Sequence, residues 1–412
     1  VSATQPVYFD HAATTPMTAS ALAVLTQELS RTGNPSSLHG AGRRAHTVVE
    51  EARESLAAAA GAHSSEVIFT SGGTESDNLA VKGLYWARTA AEPARRRILC
   101  STVEHHAVLD TVEWLAAHEG AEIRWIGVDE TGRIRLDEFE AEIARDPGTV
   151  ALATLMWANN EVGTVQPVAE AASIAAAYGI PLHSDAVQAF TSLEVNFRAS
   201  GLATMAISAH KIGGPVGIGA LLVRRDIVLT AVQHGGGHER ALRSGTLNTA
   251  AAASFAAAAS EAVGHLAAES QRLAGLRDSL IAGVRQAVPD AELSGPAVEG
   301  ATGDRLPGNA HFTFPGCEGD SLLFVLDMLG VQSSTGSACT AGVPRPSHVL
   351  LAMGRTEEAA RGAQRFTIGH TTTAADVQAL VAALPEAHQR AKQAGMAAKK
   401  SRIQTAGTGL KV

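Results

Sequence analysis

The chain has 412 residues, 45% of them hydrophobic and 18% charged, with a formal net charge of −8. This balance fits a globular enzyme with more than one core and excludes a disordered chain, and the acidic charge gives no reason to expect direct nucleic-acid binding. No apolar run reaches transmembrane length, and VSATQPVYFD at the start has no signal-peptide core, so no membrane partner is expected.

From about residue 45 to 255, short apolar runs alternate with alanine-rich helical segments. The spacing predicts strands over EVIFT (66–70), RRILCS (96–101), EIRWIGV (122–128) and VALATLMWA (150–158). PLHSDA (181–186), ATMAISAH (203–210) and IGALLVRR (218–225) continue the series. Helices fall between the earlier strands at 74–90, 106–120, 136–146 and 168–179. Such alternation points to an α/β fold with a mainly parallel seven-stranded sheet flanked by helices, whose ligands sit beyond the strand C-termini. A long helical stretch at 247–288 then leads into a smaller α+β unit. It has strands near 309–314 and 364–369 and helices near 320–330 and 374–393. The expected division is a large domain over 16–255 and a small domain from 1–15 plus 256–395, with 396–412 a disordered tail.

Three cysteines, Cys100, Cys317 and Cys339, make neither a disulfide framework nor a metal-ligand pattern. A reducing cytoplasm is the natural setting for them. Cys100 reads as a buried strand residue and Cys317 as incidental. Cys339 stands apart in SSTGSACTAG (333–342), among small residues with no bulky apolar neighbour. Lysine usage is also biased, because between Lys82 and Lys392 the chain has a single lysine, Lys211. Arginine serves elsewhere as the generic cation. A guanidinium does not deprotonate in proteins, so a lone lysine suggests amine chemistry.

Several motifs fall at predicted strand ends. TSGGTESDN (70–78) follows a strand and opens a helix, so Gly73 and Thr74 read either as an ordinary capped turn or as a phosphate cradle. EHHAVLD (104–110) places His105 and His106 at the next strand end, where a flat imidazole can stack on a ring and move protons. WANNEVG (157–163) carries Asn159 and Asn160. HSDAVQ (183–188) carries Asp185, a helix cap or a carboxylate holding a proton on a pyridine nitrogen, with Gln188 one turn on. SAHKIGGP (208–215) places Ser208 and His210 beside Lys211, and HGGGHERALRSGTLN (234–248) is a second glycine-rich loop that includes Thr246. A phosphate cradle, a stacking histidine, a carboxylate for a pyridinium and a lysine for a Schiff base together describe a pyridoxal 5′-phosphate site. No GxGxxG fingerprint follows the first strands, which disfavours a dinucleotide-binding dehydrogenase.

Over nearly its whole length, from YFDHAATTP (8–16) and GNPSSLH (33–39) to SSTGSACTAG and RFTIGHTTT (365–373), the chain resembles the NifS/IscS-type cysteine desulfurases. These belong to the class V aminotransferase group of fold-type I PLP enzymes. The resemblance implies that Lys211 binds the cofactor covalently, Asp185 pairs its ring nitrogen and His105 stacks on the ring. Asn160 and Gln188 touch the cofactor, while Gly73, Thr74, Ser208 and His210 hold its phosphate, joined by Thr246 from the other subunit of a homodimer. Asn34 and Arg365 grip the substrate carboxylate with Asn160, a task suited to a bidentate guanidinium. Cys339 takes the place of the nucleophile, on a loop of the long-loop group at about 331–345, and Lys211 and His105 carry protons. The implied reaction converts L-cysteine to L-alanine, leaves a persulfide on Cys339 and passes the sulfur to an acceptor protein. That acceptor would serve iron–sulfur cluster assembly, tRNA thiolation or DNA phosphorothioation. No metal site is expected beyond a cluster shared transiently by Cys339 with a scaffold. A selenocysteine lyase or an aminotransferase is the alternative, although an aminotransferase needs no thiol in that loop. One departure is His370, where the family often has arginine.

Overall fold

The computed structural model describes residues 6–298, 303–336 and 346–407, with side chains through residue 394. Cys339 and most of its loop lie outside the described residues. In chain order the first half consists of β1 (Val7–Tyr8), α1 (Ala19–Leu29), α2 (Gly40–Ala60), β2 (Val67–Thr70), α3 (Gly73–Ala91), β3 (Arg97–Ser101), α4 (His106–Glu119), β4 (Glu122–Ile126), α5 (Leu136–Arg145) and β5 (Val150–Thr154). It continues through α6 (Val168–Ala177), β6 (Leu182–Asp185), α7 (Phe197–Ser200), β7 (Thr204–Ser208), β8 (Gly219–Val223) and α8 (Thr249–Ala287). The remainder is β9 (Glu292–Leu293), β10 (Asn309–Thr313), α9 (Gly319–Met328), β11 (Val331–Gln332), α10 (His348–Ala352), α11 (Glu357–Arg361), β12 (Ala363–Thr367) and α12 (Ala374–Gly407).

Seven strands form one sheet in the order β2-β8-β7-β6-β5-β3-β4, in which only β8 runs against its neighbours. The expected mainly parallel sheet is therefore present. Its inner strands are buried on both faces, which is why they read as near-continuous apolar runs. Alternate residues divide between two cores. Val67, Phe69, Met205 and Leu222 face α1, α2, α6 and the start of α8, whereas Ile68, Ile98, Leu152 and Leu221 face α3 and α4. Cys100 is buried in the second core, as its strand position predicts. Edge strand β4 is the exception, exposing Glu122, Arg124 and Trp125, and the two charges on this open edge discourage pairing with another chain.

A smaller antiparallel sheet, β12-β10-β9, packs Phe312, Phe314 and Phe366 against α8, α9 and α12. Helix α8 joins the two sheets. Its 39 residues, about 58 Å at 1.5 Å per residue, are buried at Ala250–Ala259 in one core and at Leu280–Val284 in the other. Two differences from the sequence reading concern helices. Helices α1 and α2 precede the first predicted strand, at 66–70, and both start on side-chain caps, Thr18 accepting from Ala21 N and His39 from Gly42 N. Helix α12 continues past 393 to Gly407, so residues 396–407, expected as a disordered tail, are helical. The run AGMAAKKSRIQ is rich in strong helix formers, which outweighs its lack of periodicity.

Candidate active site

Six parallel strands end along one edge of the large sheet, and the loops after five of them, β2, β3, β5, β6 and β7, line a cavity of about 390 Å³. After β2, the chain turns at Gly72 into α3 with no side chain capping the first helical amides. A Cβ at Gly73 would lie 2.9 Å from Val187 Cγ2, so only glycine leaves this corner open. Facing it, Ser208 ends β7 with a buried hydroxyl that has no partner among the described residues. Uncapped helical amides, the helix dipole and a free hydroxyl make a cradle for an anion such as phosphate. The turn is braced by Thr70 Oγ1 and Ser76 Oγ at 2.8 Å and by Ser71 N donating to Glu75 Oε2 at 2.7 Å.

Lys211 lies three residues past the end of β7, in a short 3₁₀ turn. Its Nζ donates to Ala12 O at 2.5 Å and to Ala13 O at 2.7 Å. Gln188 Nε2 also donates to Ala12 O, at 2.9 Å. Burial pushes the Lys211 ammonium down to about 8, helped by the Arg365 charge and opposed by Asp185 and Asp10. Neighbouring His210 is pushed down to about 4 by burial and then by Lys211, so it is a neutral ring at pH 7, and its Nδ1 lies 3.3 Å from Thr14 Oγ1.

Asp185 is the last residue of β6 and is buried, with Oδ1 accepting from Val187 N at 2.9 Å. Burial raises its carboxyl above the usual range, and His105 and Lys211 draw it back. His105 caps α4, its Nδ1 accepting from Ala107 N at 3.2 Å, which leaves the ring proton of the neutral form on Nε2. Its ring is walled in by protein yet open to the cavity. Burial lowers its proton affinity, against the pull of Asp185. At the opposite wall, buried Arg365 on β12 donates Nη1 to Asn160 O at 2.9 Å and Nη2 to Asp10 Oδ1 at 2.8 Å. A guanidinium held on two sides in this way presents a fixed cation to the cavity.

Gly73, Thr74, His105, Asn160, Asp185, Gln188, Ser208, His210, Lys211 and Arg365 thus converge, although they span nearly 300 residues of sequence. Asn34 and Thr246 do not join them in a single chain. Asn34 sits on an exposed loop, its Oδ1 accepting from Ser36 N at 2.9 Å, and Thr246 is exposed at the end of its loop. His370 lies outside as well. It lines a neighbouring cavity of about 420 Å³ that shares Lys211 and Gln188, and its Nδ1 is 3.5 Å from Thr15 Oγ1. Cys317 is buried, with its thiol pushed up to about 11 by burial, which disfavours the thiolate form.

The sequence reading missed a buried acid cluster behind the site. Asp77 Oδ1 lies 3.1 Å from His183 Nε2, and His183 Nδ1 is 2.9 Å from Thr204 Oγ1. Glu104 accepts from Met156 N at 2.8 Å and is pushed up to about 8 by burial and by Asp185. Asp77 is likewise raised by burial and by the same neighbour. Burial and mutual repulsion with Asp185 thus raise the proton affinity of both Asp77 and Glu104, while Asp185 is the carboxyl that faces Lys211 and His105. His183 and Asp185 alternate onto one face of β6, a period-2 signal that was available in HSDA.

Residues 7–380 match the family model for class-V aminotransferases. The chain belongs to that family. Among class-V relatives, it is 52% identical over 391 residues to an IscS-like cysteine desulfurase of Mycobacterium tuberculosis, covering 95% of this chain and 98% of that one. Among solved class-V structures, a NifS-like protein superposes with a TM-score of 0.84 at 32% identity, covering 93% of this chain and 99% of the other. A structure of SspA in complex with cysteine matches with a TM-score of 0.75 at 31% identity, over 88% of this chain and 98% of that one.

Proposed function

We infer that the protein is a pyridoxal-phosphate-dependent cysteine desulfurase. The observation that carries this reading is the convergence of the Gly73–Ser208 cradle, Asp185, Lys211 and Arg365 on one cavity. The residues fit the cofactor. The orphaned Ser208 hydroxyl and uncapped α3 amides suit its phosphate, with Thr74 and His210 alongside, and the buried Asp185 carboxylate suits a protonated ring nitrogen. Bound there, the cofactor supplies an electron sink for the carbanion formed when the substrate loses its Cα proton.

The chain's own residues do the rest. Arg365 orients the substrate by its carboxylate, assisted by the Asn160 segment that it already bonds. Lys211, with a depressed proton affinity, is matched to take and return a proton near neutral pH, and His105 can serve as the second carrier. The Cys339 thiolate takes the sulfur. L-cysteine and the Cys339 thiol give L-alanine and a Cys339 persulfide, so the carbon–sulfur bond breaks, a sulfur–sulfur bond forms, and alanine receives the proton. The persulfide then passes to an acceptor protein of iron–sulfur assembly, tRNA thiolation or DNA phosphorothioation.

The reading includes a large cofactor-binding domain over 16–255, a small domain built from 1–15 and 256–395, and a homodimer in which exposed Thr246 serves the other copy's phosphate. A reducing cytoplasm keeps the thiol available, and among the described residues no helix is long and apolar enough to cross a membrane. Incubation of the purified protein with pyridoxal phosphate and L-cysteine tests the assignment. Wild type should become yellow and form alanine, whereas Lys211→Ala should lose both the covalent chromophore and alanine formation. Equal alanine formation by the two proteins would refute it.

A further inference from the structure

Three consecutive residues without a glycine among them, Glu239, Arg240 and Ala241, have φ of +47°, +58° and +59°. Left-handed backbone of this kind crowds each Cβ against the following carbonyl, and non-glycine residues normally visit it singly. A conformation so disfavoured persists only where the surroundings over-determine it. Here the surroundings are a buried ion pair. Arg53 of α2 donates Nη1 to Glu239 Oε2 at 2.8 Å and Nη2 to Glu239 Oε1 at 2.7 Å. Phe69 N in β2 donates to Glu239 Oε2 at 2.6 Å, and the Arg53 guanidinium lies 4.9 Å from the Phe69 ring centre. The turn is also tied by Arg240 Nη1 to Ser65 O at 3.1 Å and by His238 Nε2 to Ser36 Oγ at 3.1 Å.

Just beyond the turn, Arg243 donates Nε to Glu75 Oε1 at 2.8 Å. Glu75 occupies the first turn of α3, next to Gly73 and Thr74, and its other oxygen accepts from Ser71 N. The carboxylate that braces the cradle is therefore neutralised by an arginine that follows the strained turn by two residues. Without Arg243, the Glu75 charge would stand unpaired in the same helical turn as the anion cradle.

We propose that the Arg53–Glu239 clamp is a positioning device for cofactor phosphate: it forces the left-handed turn at 239–241, which sets Arg243 against Glu75 and so holds the Gly73–Thr74 cradle open to a dianion. The proposal rests on the reading of that cradle as the phosphate site. It differs from a purely structural ion pair in one respect, because glycine adopts the left-handed region without strain and should make the clamp partly dispensable.

The test is the dissociation constant of pyridoxal phosphate, read by absorbance on the full-length protein, alongside the melting temperature of the cofactor-free protein. Glu239→Gln should weaken binding about tenfold, the scale of losing a charge-assisted buried hydrogen bond. Ala241→Gly added to Glu239→Gln relieves one of the three left-handed residues and should recover part of the lost binding. Arg243→Gln, which leaves the Arg53–Glu239 clamp in place, should weaken binding without a matching fall in the cofactor-free melting temperature. Binding by Arg243→Gln as tight as wild type, or a failure of Ala241→Gly to rescue, would overturn the proposal. Should Glu239→Gln not fold, Arg243→Gln decides alone. Absence of binding by wild type would instead refute the phosphate reading of the cradle.

Discussion

At Lys211, two backbone carbonyls, of Ala12 and Ala13, hold an ammonium that burial and Arg365 both disfavour. The balance brings its proton affinity down to about 8, and two measurements follow. A neutral amine is needed to attack an aldehyde, so cofactor uptake by the cofactor-free protein should rise with pH and level off above about 8. Stopped-flow absorbance checks this, and a rate still climbing at the ordinary lysine pKa, about 10.4, would contradict it. The sign of the linked stability effect is also fixed. Between the folded value and that ordinary range the unfolded chain binds more protons, so the cofactor-free protein should gain stability as pH rises through this window. The lysine itself was legible in the sequence, since an arginine-biased chain singled it out. Its partners were not, because Ala12 and Ala13 act through carbonyls that carry no side-chain signature.

At the scale of elements, the site is a set of strand ends, and glycine matters where a strand hands over to a helix. Gly73→Ala should weaken cofactor binding by at least about tenfold, because its methyl would sit 2.9 Å from Val187 and point into the cradle. Equilibrium titration measures this, with an unchanged far-ultraviolet spectrum as the check on folding. Most elements could be read in advance, since strands buried on both faces and alanine-rich helices carry strong periodic signals. Two kinds of feature could not. Helices α1 and α2 are specified by their caps and by packing on α8, which lies some 200 residues away. The Asp77–His183 contact joins residues 106 apart in sequence, and within TESDN the aspartate reads only as a helix-start residue. The left-handed turn at 239–241 was equally hidden, because nothing in HERAL announces a positive φ without glycine.

On the scale of the whole molecule, the candidate cavity lies between the large sheet and the strand that bears Arg365. Residues of the N-terminal segment bridge the two. Asp10 pairs with Arg365, Ala12 N donates to Thr367 Oγ1 at 2.9 Å, and Thr15 N donates to His210 O at 3.1 Å. Arg305 adds a second tie, with Nη1 bonded to Val162 O and Nε to Pro296 O, both at 2.9 Å. Arg365 and Lys211 therefore belong to different sheets whose spacing is fixed from both sides. Ser334 and Gly336 also line the cavity, so the chain that leads to Cys339 departs from its wall. The sulfur-accepting role of Cys339 is thus the central claim to test. Wild type and Cys339→Ala, each loaded with cofactor, are exposed to one equivalent of L-cysteine, quenched with a thiol-blocking reagent, and mapped by peptide mass spectrometry. The account predicts one added sulfur atom on the Cys339 peptide of wild type and none on any peptide of the variant. An added sulfur on Cys100 or Cys317, or none on Cys339 while alanine accumulates, would contradict it.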